Sequence, residues 1–545
     1  MKNEEVKTGG AYNFRTGEWN DTLTGEFLWS NVNVSEAVPD VMTPSTWSLW
    51  RIHHYDANPI KMPGRIPFCG NICGRPYLNL SLLASLFRAI GRDVRREMQG
   101  DMIGSAPEEM NIPLIRYSPI TVIVKMLPGM LAAGRDARQS QKVVSQITAT
   151  MPQWCEETLK VIQEKHDKSN LLALWHESIR PKVFVMCRMV RGATMAFADP
   201  ATNLRQELIK AAGEADANTI MSNFSGASAN LESLGPMVGL SRVANGKMSR
   251  DAFLKRYGHR GPHEMELFIA GNEEDKDWLD CQLETFVKSH TDVEGLLAGQ
   301  RAEFEHAWER YQAKHPREEK KFQQKINAVA LAARNREAIR SELTRLARLV
   351  RRYLLRVGEI TGLEDGIFFL SLREMANALA GDESAKAYIP SRRETYLKYS
   401  ALPPYPSIII GKFDPFQWAS DPNRRSDYFD ARPFTHKQIT TTIKGFAGAA
   451  GCVEGIVRRI DCVEDGHLIQ PGEILVTVTT NVGWTPLFPQ LAAIVTDVGA
   501  PLSHAAIVAR EMGIPAVVGC GNATMLLKTG DRVRVDGSTG IVSLS

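Results

Sequence analysis

The sequence predicts a multidomain α+β protein: a large, mainly α-helical body followed by a small strand-rich domain. Three observations carry this expectation. The chain has 545 residues, more than one core holds at roughly 100 to 200 residues per domain. Between about Asn79 and Leu379 apolar residues recur at helical spacing in long, charged stretches. From about Gly445 onward, short β-branched runs such as Ile474-Leu-Val-Thr-Val, Leu491-Ala-Ala-Ile-Val and Ala516-Val-Val alternate with Gly-rich turns.

Each part has its own texture. The amino terminus is polar and lacks the apolar core of a signal peptide, and no run of about 18 apolar residues occurs. Together with eight dispersed cysteines in so long a chain, this leads us to expect a soluble cytoplasmic protein with reduced thiols. In the helical region, Gln323 to Val357 repeats apolar residues over more turns than an ordinary globular helix. Pro-rich and polar punctuation at Leu402-Pro-Pro-Tyr-Pro and Ser420-Asp-Pro-Asn ends that body. The expected division is a helix-rich domain at 1–430, a hinge at 431–444 and a small domain at 445–545. Counted from Gly445, the tail holds 6 Lys and Arg against 9 Asp and Glu, so it is near −3 and the remainder near +6 in a chain of net charge +3. That balance offers no basic field for a nucleic-acid backbone.

Chemistry concentrates between Thr496 and Gly519. After an apolar strand, a loop with Gly499, Ala500 and Pro501 leads into Ser503-His504 and a helix that Gly513 ends. His504 therefore heads a helix, where free backbone N–H groups and the positive end of the dipole favour an anion. The same helix end disfavours imidazolium, keeping the ring a neutral nucleophile near pH 7. Thr496 and Ser503 offer hydroxyls to phosphate oxygens. An isolated Ser-His pair is more often a capping serine beside a surface histidine. Here the segment resembles the phosphohistidine swivelling domain of phosphoenolpyruvate-utilising enzymes, T-x-x-G-G-x-x-S/T-H-x-A-I/V-x-A-R-E-x-G-I-P-A-V-V-G, with one departure, Ala500 for the second Gly. Pro471-Gly-Glu-Ile-Leu-Val and Thr529 to Val542 resemble its flanking strand and closing hairpin. The resemblance implies a β/β/α domain with His504 as the phosphorylated residue.

Three earlier segments resemble the helical acceptor domain of rifampicin phosphotransferases. They are Trp29 to Ser48 (WSNVNVSEAVPDVMTPSTWS), Tyr257 to Leu267 (YGHRGPHEMEL) and Glu364 to Leu370 (EDGIFFL). The chain shows neither an ATP-grasp segment before these nor a pyruvate barrel after the histidine domain. That order resembles the acceptor and histidine subunit of two-component phenylphosphate synthases and p-cresol-phosphorylating enzymes. By that resemblance a separate ATP-grasp subunit is the partner and holds ATP and Mg²⁺, and a small aromatic hydroxyl compound is the acceptor. ATP is split into AMP and Pi as His504 carries a phosphoryl group to the phenolic oxygen. The alternatives are another hydroxyl acceptor, such as a rifamycin-like antibiotic, or a phosphocarrier that serves a protein. No membrane or nucleic-acid partner is expected.

Secondary candidates follow. Arg260 would neutralise phosphoryl charge, with His259, His263 or Glu264 taking the acceptor's proton; a hydrogen-bonded turn is the alternative. Gly261-Pro262 argues against His259 and His263 forming a metal pair on one helix face, and Cys69 and Cys73 lack a second ligand pair, so no metal site is expected. Arg336 and Arg340 belong to a run of arginines at helical spacing. Such a run usually means a solvated face, and these two are candidate phosphate ligands. Trp29, Trp47 and Trp50, with Tyr55, Phe68 and Tyr77, are candidate walls of a pocket for a flat ring, or simply core.

Overall fold

A computed structural model describes residues 11–32, 34–64, 66–94, 111–164, 167–222, 232–288, 292–422, 424–432, 442–501 and 503–545. Three long helices, Pro119–Glu164, Arg180–Ala212 and Glu319–Thr361, form the middle of the body. The third follows the periodicity read from Gln323 to Val357. Its buried residues Ile339, Leu343, Leu346, Val350, Tyr353, Leu354 and Val357 return every three or four positions and face the other two helices. Where the first two helices cross, an added Cβ on Gly192 would lie 2.5 Å from the Asp136 carbonyl oxygen, so only glycine allows this approach. The third helix stops at Gly362, whose φ of +67° gives the left-handed cap.

The body is not helical throughout. Its two ends meet in a five-stranded sheet ordered Cys69–Ile72, Arg75–Asn79, Leu28–Ser30, Ile408–Ile410, Tyr428–Asp430. Only the last pair is parallel. Strands of three to five residues are too short to show a period, and Leu28–Ser30 finds its partner Ile408–Ile410 at the other end of the body. Sequence patterning therefore did not anticipate this sheet.

The small domain is an eight-stranded arrangement ordered Thr442–Lys444, Ile541–Leu544, Arg532–Asp536, Cys452–Arg459, Ile474–Thr477, Ala493–Thr496, Ala516–Val518, Phe446–Ala449. Cys452–Arg459, Ile474–Thr477, Ala493–Thr496 and Ala516–Val518 run parallel as neighbours. Ile474–Thr477 and Ala493–Thr496 are buried at every position, as parallel strands covered on both faces should be. Helix His504–Met512 is the crossover between the last two of these parallel strands. Of the expected hinge at 431–444, residues 433–441 lie outside the described residues, and Thr442–Lys444 is the edge strand paired with Ile541–Ser543.

The two domains share apolar packing. One cluster runs from Phe197, Leu240, Phe253 and Ile326 of the body through Trp484, Phe488, Val508 and Met512 of the small domain. Closer to the chemistry, an added Cβ on Gly483 would lie 2.6 Å from Pro262 N, and Asn481 Nδ2 donates to Pro262 O at 2.8 Å. The tip of the small domain thus rests on the turn at Gly261-Pro262. Among the described residues no helix is long and apolar enough to cross a membrane.

Candidate active site

The His504 helix begins as the sequence predicts. Ser503 is the N-cap, and its Oγ accepts from Ala506 N at 3.4 Å. Gly513 closes the helix at φ +69°. Gly499 brings the preceding loop across the strand end. Its φ is +153°, and an added Cβ would lie 3.1 Å from Val518 Cβ, 3.2 Å from Ser503 Oγ and 3.3 Å from Thr496 Oγ1. The two candidate hydroxyls therefore flank one glycine, and Thr496 Oγ1 is buried without a hydrogen-bond partner. Ala500 has no positive φ, so this backbone does not require the glycine that the family pattern carries there.

His504 is only 8 % exposed. Thr480 Oγ1 lies 3.2 Å from Nδ1 and Thr485 Oγ1 lies 3.3 Å from Nε2, while Phe488 packs edge-on at 6.1 Å between centroids. Burial and the charges of Arg340 and Arg260 lower its pKa to about 3, against the opposing charge of Glu337. The imidazole is thus neutral with a lone pair at ordinary pH, as a nucleophile for phosphorus must be.

The body supplies the charges that act on this ring. Arg336 pairs with Glu337 at 2.7 Å and lies over the Phe197 ring at 4.5 Å. Arg340 lies 3.6 Å from Glu264, which also binds Arg260 Nε at 2.8 Å. Burial alone would raise Glu337, yet Arg336, Arg340 and Arg260 hold it ionised, with a pKa of about 2. Arg260 is 2 % exposed, and both of its terminal nitrogens are buried without a partner. A dianionic phosphoryl group is the kind of ligand that would satisfy them.

The remaining histidines of the Tyr257–Leu267 loop play other parts. His259 Nε2 meets Ser341 Oγ at 2.9 Å, and burial, with the charge of Arg345, pushes its pKa well below the usual range. His263 leaves the cluster altogether. Its Nδ1 meets Asp40 Oδ1 at 2.8 Å, and its Nε2 meets Glu464 Oε1 of the small domain at 2.9 Å. Burial opposes its charge, but the two carboxylates raise its pKa to about 10.

Further along the long helix, the expectation of a solvated arginine face needs correction. Arg348 and Arg351 are buried. Arg348 donates to the carbonyls of Ile269 at 2.8 Å and His263 at 2.5 Å, and Arg351 donates to those of Leu267 and Phe268, both at 2.8 Å. Arg345 reaches the carbonyls of Lys255 and Arg256 at 3.0 and 3.2 Å. These side chains clamp the loop that presents Arg260. On its other side, Glu266 accepts from Thr43 Oγ1 at 2.9 Å and from Phe268 N at 3.0 Å, tying the loop to the Trp29–Ser48 segment.

The three tryptophans separate in space. Trp29 is fully buried in the five-stranded sheet, edge-on to Phe27 at 6.1 Å between centroids. Trp47 packs edge-on to Trp19 at 5.6 Å. Trp50 stacks on His53 at 5.6 Å and tilts against His54 at 4.9 Å. None of these rings is among the side chains that meet the His504 ring. Among the described residues no group of three or more His, Cys, Asp and Glu side chains is placed to hold a metal ion.

Sequence reasoning missed Glu36, Thr480 and Thr485. The first stands in a turn within the Trp29–Ser48 segment, and its carboxylate oxygens both accept from His504 N at 3.1 Å. The threonines come from the loop that rests on Pro262. No spacing or cluster marks any of the three; only the quoted similarity of the Trp29–Ser48 segment drew attention near Glu36.

His504 thus heads a helix of the small domain, and charges of the body, those of Arg340 and Arg260, act on its ring. Residues 469–540 match the family described as PEP-utilising enzyme, mobile domain. A rifampicin phosphotransferase of Bacillus cereus is 35 % identical over 182 residues, 33 % of this chain and 19 % of that relative. The prodigiosin-synthesizing transferase PigC of Serratia marcescens is 31 % identical over 306 residues, 53 % of this chain and 32 % of that protein. Chondramide synthase cmdD of Chondromyces crocatus is 50 % identical over 102 residues, 19 % of this chain and 3 % of its own length. The chain thus spans a third or less of each of these relatives.

Proposed function

We propose that this chain is the acceptor and histidine part of an AMP-forming phosphotransferase that acts on phenols or alkylphenols. A separate ATP-grasp subunit would hold ATP and Mg²⁺ and load His504, with the remainder of ATP leaving as AMP and Pi. His504 then passes the phosphoryl group to the phenolic oxygen, giving an aryl phosphate. The observation that carries this reading is the neutral His504 imidazole, its pKa lowered by burial and by the charges of Arg340 and Arg260 of the other domain, together with the unpartnered terminal nitrogens of Arg260 among the described residues. Preorganised guanidinium groups stabilise the charge of a transferring phosphoryl group, and the helix head adds its own N–H groups.

Carrier chemistry at two sites requires the small domain to move between the loading subunit and the body, as a tethered group at high effective concentration. Resemblance of the whole to two-component phenylphosphate and p-cresol-phosphorylating synthases supports the phenolic acceptor. Incubation with the ATP-grasp partner, ATP, Mg²⁺ and p-cresol is expected to yield 4-methylphenyl phosphate and AMP. Absence of product with every phenol tried would overturn the acceptor assignment. A second reading, phosphorylation of a rifamycin hydroxyl, is favoured by the 35 % identity to rifampicin phosphotransferase; product from rifampicin and not from phenols would select it.

A further inference from the structure

Transfer to a hydroxyl releases a proton, and none of the three groups expected to take it is free to do so. His263 is held cationic between Asp40 and Glu464. His259 is bonded through Nε2 to Ser341, and burial with the charge of Arg345 opposes its taking a proton at the unpartnered Nδ1. Glu264 is committed to Arg260 and Arg340. Glu36 is differently placed. It reaches from the turn at 34–37 to the head of the carrier helix, and both of its oxygens lie 3.1 Å from the backbone N of the residue that carries the phosphoryl group.

We infer that Glu36 is the catalytic base that takes the acceptor's hydroxyl proton as the phosphoryl group leaves His504. This rests on the proposed function, since it names the proton acceptor of that same transfer. In the step, the acceptor oxygen forms its bond to phosphorus while the nitrogen–phosphorus bond breaks. The bonding pair returns to the imidazole, whose other ring nitrogen has kept its proton since loading, and the hydroxyl proton moves to the Glu36 carboxylate. The products are a phosphate monoester, neutral His504 and protonated Glu36.

The surroundings suit this part. Among the described residues no guanidinium is bonded to Glu36, so its oxygens keep lone pairs for a proton, whereas Glu337 and Glu264 spend theirs on arginines. The charged groups that face it are Arg340 and Arg336, which favour its ionised form, and Glu337, which opposes it. Burial outweighs the two arginines and the His504 amide and raises its pKa to about 7, matched to a base that works near neutrality. A second anion at the helix head would repel an unprotonated Glu36, so gaining the proton and losing the phosphoryl group favour each other.

The test separates loading from transfer. The full chain, wild type or Glu36→Gln, is phosphorylated at His504 with potassium phosphoramidate, and the acid-labile phosphohistidine is counted by phosphorus NMR. Discharge is then timed with p-cresol, rifampicin and methanol between pH 5 and 9. Expected are normal loading of both chains, wild-type discharge that rises through about pH 7, and a Glu36→Gln rate lower by about 100-fold or more with a flat profile. Glu36→Asp should recover part of the rate. Transfer by Glu36→Gln within about threefold of wild type overturns the inference, as does a failure of that variant to load, which would place Glu36 in folding or in phosphorylation. Wild-type discharge to rifampicin or methanol alone overturns the phenolic reading, and the base is then judged on that hydroxyl. No discharge to any of them overturns both.

Discussion

His504 and His263 stand on the same seam between the two domains, and burial penalises the charged form of both. They end in opposite states. Burial and the charges of Arg340 and Arg260 lower the pKa of His504 to about 3; the carboxylates of Asp40 and Glu464 raise that of His263 to about 10. One side chain is thereby left neutral with a free lone pair, the form a nucleophile needs, and the other is an ionic fastener between body and small domain. The difference teaches that, at an interface, a histidine's role is set by which charges the other domain brings to it.

The most severe way to break the comparison is His504→Ala. Acid-labile phosphorylation of the chain should vanish entirely, and label surviving on this variant would refute the carrier assignment. Next is Arg340→Met, which removes the largest charge acting on His504. Transfer is expected to fall by about 100-fold, the usual effect of deleting one preorganised charge partner, while Arg340→Lys retains part of the rate; steady-state kinetics of both would decide. Loss of the fastener is milder. His263→Gln removes a cation that is partly exposed, opposite a mostly exposed Glu464, worth on the order of 1 kcal/mol.

The sign of the pH effect follows from the raised pKa. The fastener is fully present below about pH 6.5, the unfolded value, and is lost as pH rises through about 10. Hydrogen exchange in Val482–Gln490, the segment resting on Pro262, should therefore quicken between pH 6.5 and 10 in the wild type. A His263→Gln chain should start fast and change little, and an unchanged low-pH rate would remove the fastener role. The smallest effect is Ala500→Gly, expected to destabilise by less than about 1 kcal/mol because Ala500 already has ordinary backbone angles. Gly499→Ala, forced against Val518 and into a glycine conformation, should cost more in thermal unfolding.

How much of this was legible in the sequence differs between the regions. In the small domain the segment from Thr496 to Gly519 is contiguous, so capping, turn and helix chemistry state both the element and its chemical end. Ser503 as cap, Gly513 as stop and His504 at the head all follow from local rules. The long helix was equally legible from its period. What its arginines do was not, because periodicity records a face and not its occupant. Arg348 and Arg351 are buried against, and Arg345 reaches, carbonyls of a loop some eighty to ninety residues away in sequence. The five-stranded sheet escaped for the same reason, since Leu28–Ser30 and Ile408–Ile410 are each too short to signal without the other.

The sequence by itself determined the two-part α+β organisation, the long helix and the helix-heading His504, all of which depend on neighbours within a few turns of chain. Only the tertiary structure decided the charge state of each histidine, the seating of Glu36 on the His504 amide and the arginine charges that act on the ring. Those depend on groups distant in sequence that packing brings together, where charges removed from water act strongly on one another, and no local pattern encodes that meeting.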